Sequence, residues 1–311
     1  MKKILVTGGA GFIGSNLCEK LIEKNHHVTC VDNLSTGKLD NISKLIKLDN
    51  FEFVKHDIIF KFKNEIKFDE IFNLACPASP PSYQKDPIHT LKTCTLGTIN
   101  MLELALQCNS KILQASTSEI YGDPLIHPQN ENYWGNVNSI GIRSCYDEGK
   151  RCSETLFMDY NRKYKLNTKI VRIFNTYGPM MDKNDGRVIS NLINQAINSE
   201  ELTIYGDGNQ TRSFMFVSDL VDGIIKSMDI NYNGPINLGN PNEITINELA
   251  DTILNYTGSS SKKVYKKLPS DDPKRRKPDI ELAKTILNWE PNVRFLDGLK
   301  KTIKYYISLN E

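Results

Sequence analysis

Apolar residues along the first 175 positions fall into short runs separated by longer amphipathic stretches. KILVT (Lys3–Thr7) and HVTCVD (His27–Asp32) read as buried strands. Phe51–His56, Glu70–Leu74, Lys111–Ser116 and Thr168–Phe174 repeat that signal, and between them apolar positions recur at helical spacing over Phe12–Glu23, Ile88–Gln107 and Tyr146–Tyr164. A parallel crossover needs a helix-length connection, so strands alternating with helices predict an α/β fold, a doubly wound parallel sheet covered on both faces. After Asn175 the character changes. TYGPMMDKNDG is rich in turn residues, a helix starts at Arg187, and short strands near Thr203 and Ser213 alternate with loops rich in Gly, Asn and Pro. The predicted division is a sheet domain over 1–175 and a smaller lobe over 176–311, with 215–240 returning to the sheet domain.

Composition narrows the class. The 311 residues are 39% hydrophobic and 24% charged, an ordinary globular balance. Lys and Arg total 39 against 37 Asp and Glu, a net charge of +2, which offers no global field for DNA, RNA or an anionic membrane. Apolar runs are too short to span a bilayer, and a strand beginning at Lys3 leaves no room for a signal peptide. Seven scattered cysteines with no CxxC pair read as reduced thiols in a cytoplasmic protein, with Cys76 and Cys145 serving as small packing residues. Five scattered histidines lack ligand spacing, so no metal is expected. Lys262–Lys277, the most basic stretch, reads on charge alone as a solvated edge.

Gly8, Gly9, Gly11 and Gly14 lie in TGGAGFIG, directly after a strand and opening a helix. There glycines permit a tight turn, close approach of backbone to a pyrophosphate and close helix packing, and the helix N-terminus supplies N–H groups. Asp32 ends the second strand at the distance expected of the acid that accepts hydrogen bonds from the adenosine ribose. A carboxylate there repels a 2′-phosphate, so the predicted cofactor is NAD and not NADP.

Tyr146 and Lys150 form Y-x-x-x-K at a helix start, where i and i+4 share one face. A free tyrosine, with pKa near 10, is too weak a base at neutral pH, but an adjacent ammonium and an oxidised nicotinamide both favour phenolate. Thr117, Ser118 and Glu119 follow the fifth strand, at the sheet edge where such folds bind ligands. A hydroxyl there can hydrogen-bond a reacting alcohol beside the tyrosine.

TGGAGFIG, Asp32, STSEIYG and YDEGK together resemble the extended short-chain dehydrogenase/reductase superfamily, which acts mainly on nucleotide sugars. More narrowly, NLACPASPPSY (73–83), RSCYDEGKR (143–151), RIFNTYGP (172–179), YGDGNQTRSF (205–214) and DDPKRRKPDI (271–280) resemble the UDP-glucuronate decarboxylases, a similarity running from about Lys3 to the end. The resemblance implies conversion of UDP-glucuronate to UDP-xylose: oxidation at C4 with Tyr146 as base, loss of CO₂ from the resulting β-keto acid, and re-reduction by retained NADH. It implies a cofactor site of Gly8, Gly11, Phe12, Ile13, Gly14, Asp32, Asn33, Asp57 and Ile58 with Tyr146 and Lys150.

It also places Arg276 on the glucuronate carboxylate, where an arginine suits bidentate recognition, and Glu119 near C5. Ser118 stands where 4,6-dehydratases carry the aspartic acid that protonates a departing hydroxyl, so that elimination acid is missing. Asn175, Arg187, Tyr205, Gln210 and Arg212 match the UDP side, and Tyr83, Lys92 and Arg143 the sugar or carboxylate side. Each of these has a structural alternative, such as Arg187 as an ion pair at the head of its helix and Tyr205 as simple packing. A homodimer packed through Ile88–Gln107 and Tyr146–Tyr164 is implied. The rival readings are a C4 epimerase, a dehydratase, an oxidative decarboxylase releasing NADH and the 4-keto pentose, or a silent NAD-binding regulator. Against silence stand Tyr146, Lys150, Glu119 and Arg276, which a binding-only protein has no reason to keep together.

Overall fold

The computed structural model describes residues 1–63, 66–267 and 275–309. The first half runs β1 (Lys3–Thr7), α1 (Phe12–Glu23), β2 (His27–Asp32), β3 (Phe51–Lys55) and β4 (Glu70–Asn73), then α2 (Pro80–Lys85), α3 (Pro87–Lys92) and α4 (Thr98–Cys108). β5 (Lys111–Thr117), α5 (Ser144–Tyr164) and β6 (Thr168–Ile173) complete it. The second half begins with β7 (Thr176–Tyr177), α6 (Val188–Ile197), β8 (Leu202–Tyr205), β9 (Thr211–Ser213) and β10 (Met215–Phe216). It continues through α7 (Val217–Asp229), β11 (Pro235–Leu238), β12 (Glu243–Thr245), α8 (Ile246–Thr257), β13 (Lys263–Lys266), α9 (Glu281–Leu287) and α10 (Phe295–Ser308).

Seven strands form one parallel sheet in the order β11-β6-β5-β4-β1-β2-β3. The fold is a doubly wound α/β Rossmann sheet. Alternation along β1 explains both layers: Ile4 and Val6 join Leu17, Val171 and Leu220 on one face, while Leu5 meets Met101, Leu102 and Phe157 on the other. The chain winds from β1 to β3 in one direction and restarts at β4 on the other side of β1. That reversal opens a crevice at the carboxyl ends of the strands. β11 adds to the sheet beyond β6, with Ile236 opposite Val171.

Outside the sheet, β8 pairs with β13 and β9 with β12, under α6, α8 and α10. Leu192, Ile193, Ile204, Leu249 and Ile253 are fully buried between them. The start of α8 is fixed by a capping box in which Thr245 and Glu248 satisfy each other's backbone N–H.

Two expectations need correction. Ile88–Gln107 is not one regular helix: α3 and α4 are joined by a π-helical turn over Thr93–Gly97. The wider turn seats Gly97 against Ile58, whose side chain a Cβ would meet at 2.7 Å. Nor is Lys262–Lys277 a solvated edge throughout. Lys263 opens β13 and pairs with Asp251 at 2.7 Å, Lys277 pairs with Glu243 at 3.4 Å, and Arg276 is only 3% exposed. The middle of that stretch, 268–274, lies outside the described residues.

Candidate active site

The turn after β1 is built for close approach. Gly8 has φ +68°, and a Cβ there would sit 2.9 Å from the Ala75 backbone; one at Gly14 would sit 2.1 Å from the Gly8 carbonyl. α1 therefore presses directly on the turn. Gly11 caps the helix without a side-chain hydrogen bond, and no acidic residue stands in the first turn, leaving N–H groups for an anion. At the end of β2, Asp32 accepts from the Ala10 N–H at 3.1 Å and the Leu34 N–H at 2.8 Å. Burial raises its pKa and those two donors oppose the rise. Asn33 donates to Asp57 at 2.9 Å, and Phe12, Ile13 and Ile58 lie along the same cleft of about 1760 Å³. An uncapped helix end beside a fixed carboxylate fits a dinucleotide diphosphate and its ribose.

β5 ends at Thr117, whose hydroxyl accepts from the Glu119 N–H at 3.2 Å and thereby turns the chain into a short 3-10 helix over Ser118–Tyr121. α5 delivers Tyr146 and Lys150 to the same place, both buried. Lys150 Nζ donates to the Ala115 carbonyl at 2.8 Å and lies 5.8 Å from the Tyr146 ring centre. The expectation that the ammonium depresses the phenol is not met by these groups alone. Burial pushes Tyr146 well above its ordinary value, the neighbouring thiol Cys76 adds to the rise, and Thr117 opposes it.

Beside the phenol sits a chain of charges. Glu119 makes ion pairs with both Arg143 and Arg276. Burial raises its pKa, but the two guanidinium groups, Arg276 first, outweigh that and hold it below the ordinary carboxylate value. Arg276 also donates to the Ser118 hydroxyl at 3.2 Å and the Gly122 carbonyl at 2.8 Å, while its Nε is buried with no partner among the described residues. Asp147, next to Tyr146 in sequence, escaped the motif reading. It lies 4.0 Å from Arg143, and burial, reinforced by Glu119, pushes its pKa up to about 7.

Asn175, Tyr205, Gln210 and Arg212 line the far end of the cleft. Gln210 donates to the Tyr205 carbonyl at 2.5 Å and Arg212 to the Thr211 carbonyl at 2.9 Å. Arg187 lines the cleft too, yet its guanidinium forks onto Asp185 at 2.6 and 3.0 Å, the ion pair at the helix head that the sequence left open. Tyr83 is buried against Tyr146. Lys92 is the exception: it is exposed and does not line the cleft. His89 and Thr93, one turn apart, form the helix face turned to the cavity, and Lys92 stands off that face.

The family model described as GDP-mannose 4,6 dehydratase matches residues 5–302. UDP-glucuronic acid decarboxylase 1 of Danio rerio is 52% identical over 305 residues, covering 98% of this chain and 72% of that protein. UDP-glucuronic acid decarboxylase 3 of Arabidopsis thaliana is 52% identical over 299 residues, covering 96% and 86%. The chain belongs to the UDP-glucuronic acid decarboxylase family. This family's fold is shared with UDP-glucuronic acid 4-epimerase from Bacillus cereus, solved with UDP-glucuronic acid and NAD, at a TM-score of 0.89 and 29% identity over 99% of both chains. UDP-glucose 4-epimerase from Thermotoga maritima, solved with UDP-glucose, gives 0.90 and 30% over 99% of this chain and all of that one. Among the described residues no helix is long and apolar enough to cross a membrane.

Proposed function

We propose that this chain is an NAD-dependent enzyme that converts UDP-glucuronate to UDP-xylose and CO₂. The observation that carries the reading is Arg276: a buried guanidinium against the loop of Ser118 and Glu119, in the cleft of Tyr146, with no acceptor for its Nε among the described residues. A donor left over in such a place suits the carboxylate that distinguishes glucuronate from glucose. Family membership and the NAD-containing fold relatives support it.

Bound NAD⁺ supplies the hydride acceptor at sugar C4 and, once reduced, the donor that restores it. Gly8, Gly11, Phe12, Ile13, Gly14, Asp32, Asn33, Asp57 and Ile58 hold that cofactor in the sheet half, 1–175. Tyr146 takes the C4 hydroxyl proton, Thr117 and Ser118 hydrogen-bond the same oxygen, and Lys150 anchors the ribose beside them. With C4 a ketone, the carboxylate at C5 is that of a β-keto acid, which Arg276 orients for loss of CO₂. Glu119 orders the proton returned to C5. Arg187, Tyr205, Gln210 and Arg212 from the 176–311 half, with Asn175 at the end of the sheet half, grip UDP, and Tyr83 and Arg143 border the sugar. Ser118 leaves no acid for elimination at C6, which favours decarboxylation over dehydration.

Seven free cysteines support a reducing compartment, the cytoplasm. Apolar residues exposed on α3 and the π-turn, Ile88, Leu91 and Leu96, support a homodimer through the Ile88–Gln107 and Tyr146–Tyr164 helices. The deciding experiment incubates the purified protein with UDP-glucuronate and identifies the products. UDP-xylose and CO₂ without accumulating NADH are expected. Equimolar NADH with a 4-keto pentose would make it an oxidative decarboxylase, and conversion of UDP-glucose without CO₂ release would overturn the reading.

A further inference from the structure

Cys76 and Cys94 are 18 positions apart in sequence, yet their sulfurs stand 3.4 Å from each other. A disulfide needs ~2.05 Å, so the two sulfurs must approach by about 1.4 Å more. Cys76 follows β4 and lines the cleft, half-buried; Cys94 lies behind it in the π-helical turn, almost fully buried. Cys94 is packed against α5, where a Cβ on Gly149 would meet its Cβ at 2.9 Å. The pair thus bridges two walls of the cleft, an accessible thiol in front and a fixed one behind.

The electrostatics are asymmetric in the direction that oxidation requires. Hydrogen bonding from Cys94 lowers the Cys76 thiol below its ordinary value, and although burial opposes this, the Lys150 ammonium assists. The same contact and burial drive Cys94 well above its own. Either sulfur can donate across that contact, and Cys76 also donates to the Pro77 carbonyl at 3.3 Å; of the two, Cys76 is the one that lines the cleft, where an oxidant reaches it, and its thiolate is the nucleophile in sulfur oxidation.

We propose that Cys76 and Cys94 form a peroxide-reactive dithiol in the wall of the cleft, with Cys76 oxidised first and Cys94 resolving it to a disulfide. Hydrogen peroxide is the oxidant. Cys76 sulfur attacks one peroxide oxygen, the O–O bond breaks, and the departing hydroxide takes up a proton, giving a sulfenic acid and one water. Cys94 sulfur then attacks the sulfenyl sulfur and expels hydroxide, which takes the Cys94 proton as a second water. Two thiols and one peroxide give one disulfide and two waters, and two electrons pass from sulfur to oxygen. The pair stands independently of the reaction assigned to the cleft, since it needs neither cofactor nor substrate.

The test treats the full-length protein with hydrogen peroxide, alkylates the remaining thiols under denaturing conditions, and maps peptides by mass spectrometry. The expected result is a Cys76–Cys94 cross-linked peptide lighter by two hydrogens than the two thiol peptides together, reversed by dithiothreitol. Exposed Cys152 serves as the internal gauge of peroxide dose. Cys94→Ser, which removes the resolving thiol, should leave Cys76 as a sulfenic acid that dimedone labels, and Cys76→Ser should leave Cys94 fully alkylatable. The proposal is overturned if both thiols stay alkylatable at a dose that oxidises Cys152, if Cys76 couples to Cys145 instead, or if Cys94→Ser leaves Cys76 unlabelled by dimedone.

Discussion

Tyr83 lies face to face on Tyr146, ring centres 5.0 Å apart and planes 5° from parallel. α2 holds Tyr83 and α5 holds Tyr146, so the stack ties the loop region after β4 to the helix carrying the proposed base. The Tyr83 hydroxyl is buried with no hydrogen-bond partner among the described residues, and burial raises its pKa above the ordinary tyrosine value. The ring packs against Tyr146.

Tyr83→Phe keeps the stack and removes an unsatisfied polar atom, whose burial costs about 1–3 kcal/mol. Thermal stability should hold or rise. If the hydroxyl meets the sugar, the loss of activity should fall on KM for UDP-glucuronate, by about tenfold, with kcat little changed. A fall in melting temperature would show that the hydroxyl is satisfied in the protein itself.

Tyr146→Phe removes only the phenolic oxygen, and general bases contribute about 10²–10⁴-fold to turnover. Turnover should drop by that order while NAD and UDP affinity, read by calorimetry, stay nearly intact. Because burial and the Cys76 thiol both raise the Tyr146 pKa, its titration in the free protein should fall above the ordinary tyrosine range. Ultraviolet difference titration of the wild type against Tyr146→Phe reads this directly.

Asp32 is held by two backbone donors, so its carboxylate cannot swing away from a ribose or from a 2′-phosphate. Asp32→Ala should weaken NAD by about tenfold or more, from loss of a charge-assisted hydrogen bond, and should erode the preference over NADP. Parallel binding titrations with the two dinucleotides give the ratio. Tighter binding of NADP by the wild type would remove Asp32 from the ribose.

The sheet and its glycine turn were legible because buried parallel strands leave continuous apolar runs and because Gly8 takes a left-handed φ of +68° and Gly14 presses on the Gly8 carbonyl, close in sequence. Tyr146 and Lys150 were legible for the same reason, since one helical turn suffices to bring them together. What local pattern could not carry was tertiary. Arg276 reads as solvated on charge alone, because Glu119, which buries and pairs it, lies 157 positions away. The π-turn at Thr93–Gly97 depends on how Gly97 meets Ile58. Lys92 matched a family position, yet the turn of its helix faces it outward. Cys76 and Cys94 look like unrelated packing residues until the fold joins them.

Asp147 should make stability fall as pH rises. Its folded pKa, about 7, lies above the ordinary 3.8, so the folded state holds a proton that the unfolded state has released. The contribution is complete below about 3.8 and is lost as pH climbs through about 7. Asp147→Asn cannot ionise, and above pH 7 it should be more stable than wild type by on the order of 1–3 kcal/mol. Glu119 has the opposite sign: its depressed pKa gives stability present above the ordinary 4.5 and lost as pH falls below it. Melting curves across pH for wild type and Asp147→Asn separate the two, and parallel curves at all pH values would refute the Asp147 assignment.

Arg276 and Glu119 should decide which sugar is turned over. Since the C5 carboxylate distinguishes glucuronate from glucose, the guanidinium facing it should set substrate choice. UDP-glucuronate should therefore be consumed far faster than UDP-glucose. Truncating one partner of a buried charge pair costs about 2–5 kcal/mol, roughly 30-fold to several thousandfold. Arg276→Ala should lose decarboxylation by that order, and it also strands Glu119, so its fold must be checked by melting before the rate is read. Arg276→Lys keeps the charge against Glu119 but not the planar fork, and should recover stability more than rate. Glu119→Gln should slow proton return to C5 without preventing NAD binding. Release of labelled CO₂ from carboxyl-labelled UDP-glucuronate measures all three. Full CO₂ release by Arg276→Ala would take the arginine off the carboxylate, and absence of CO₂ from wild type with efficient conversion of UDP-glucose or UDP-galactose would make the chain an epimerase.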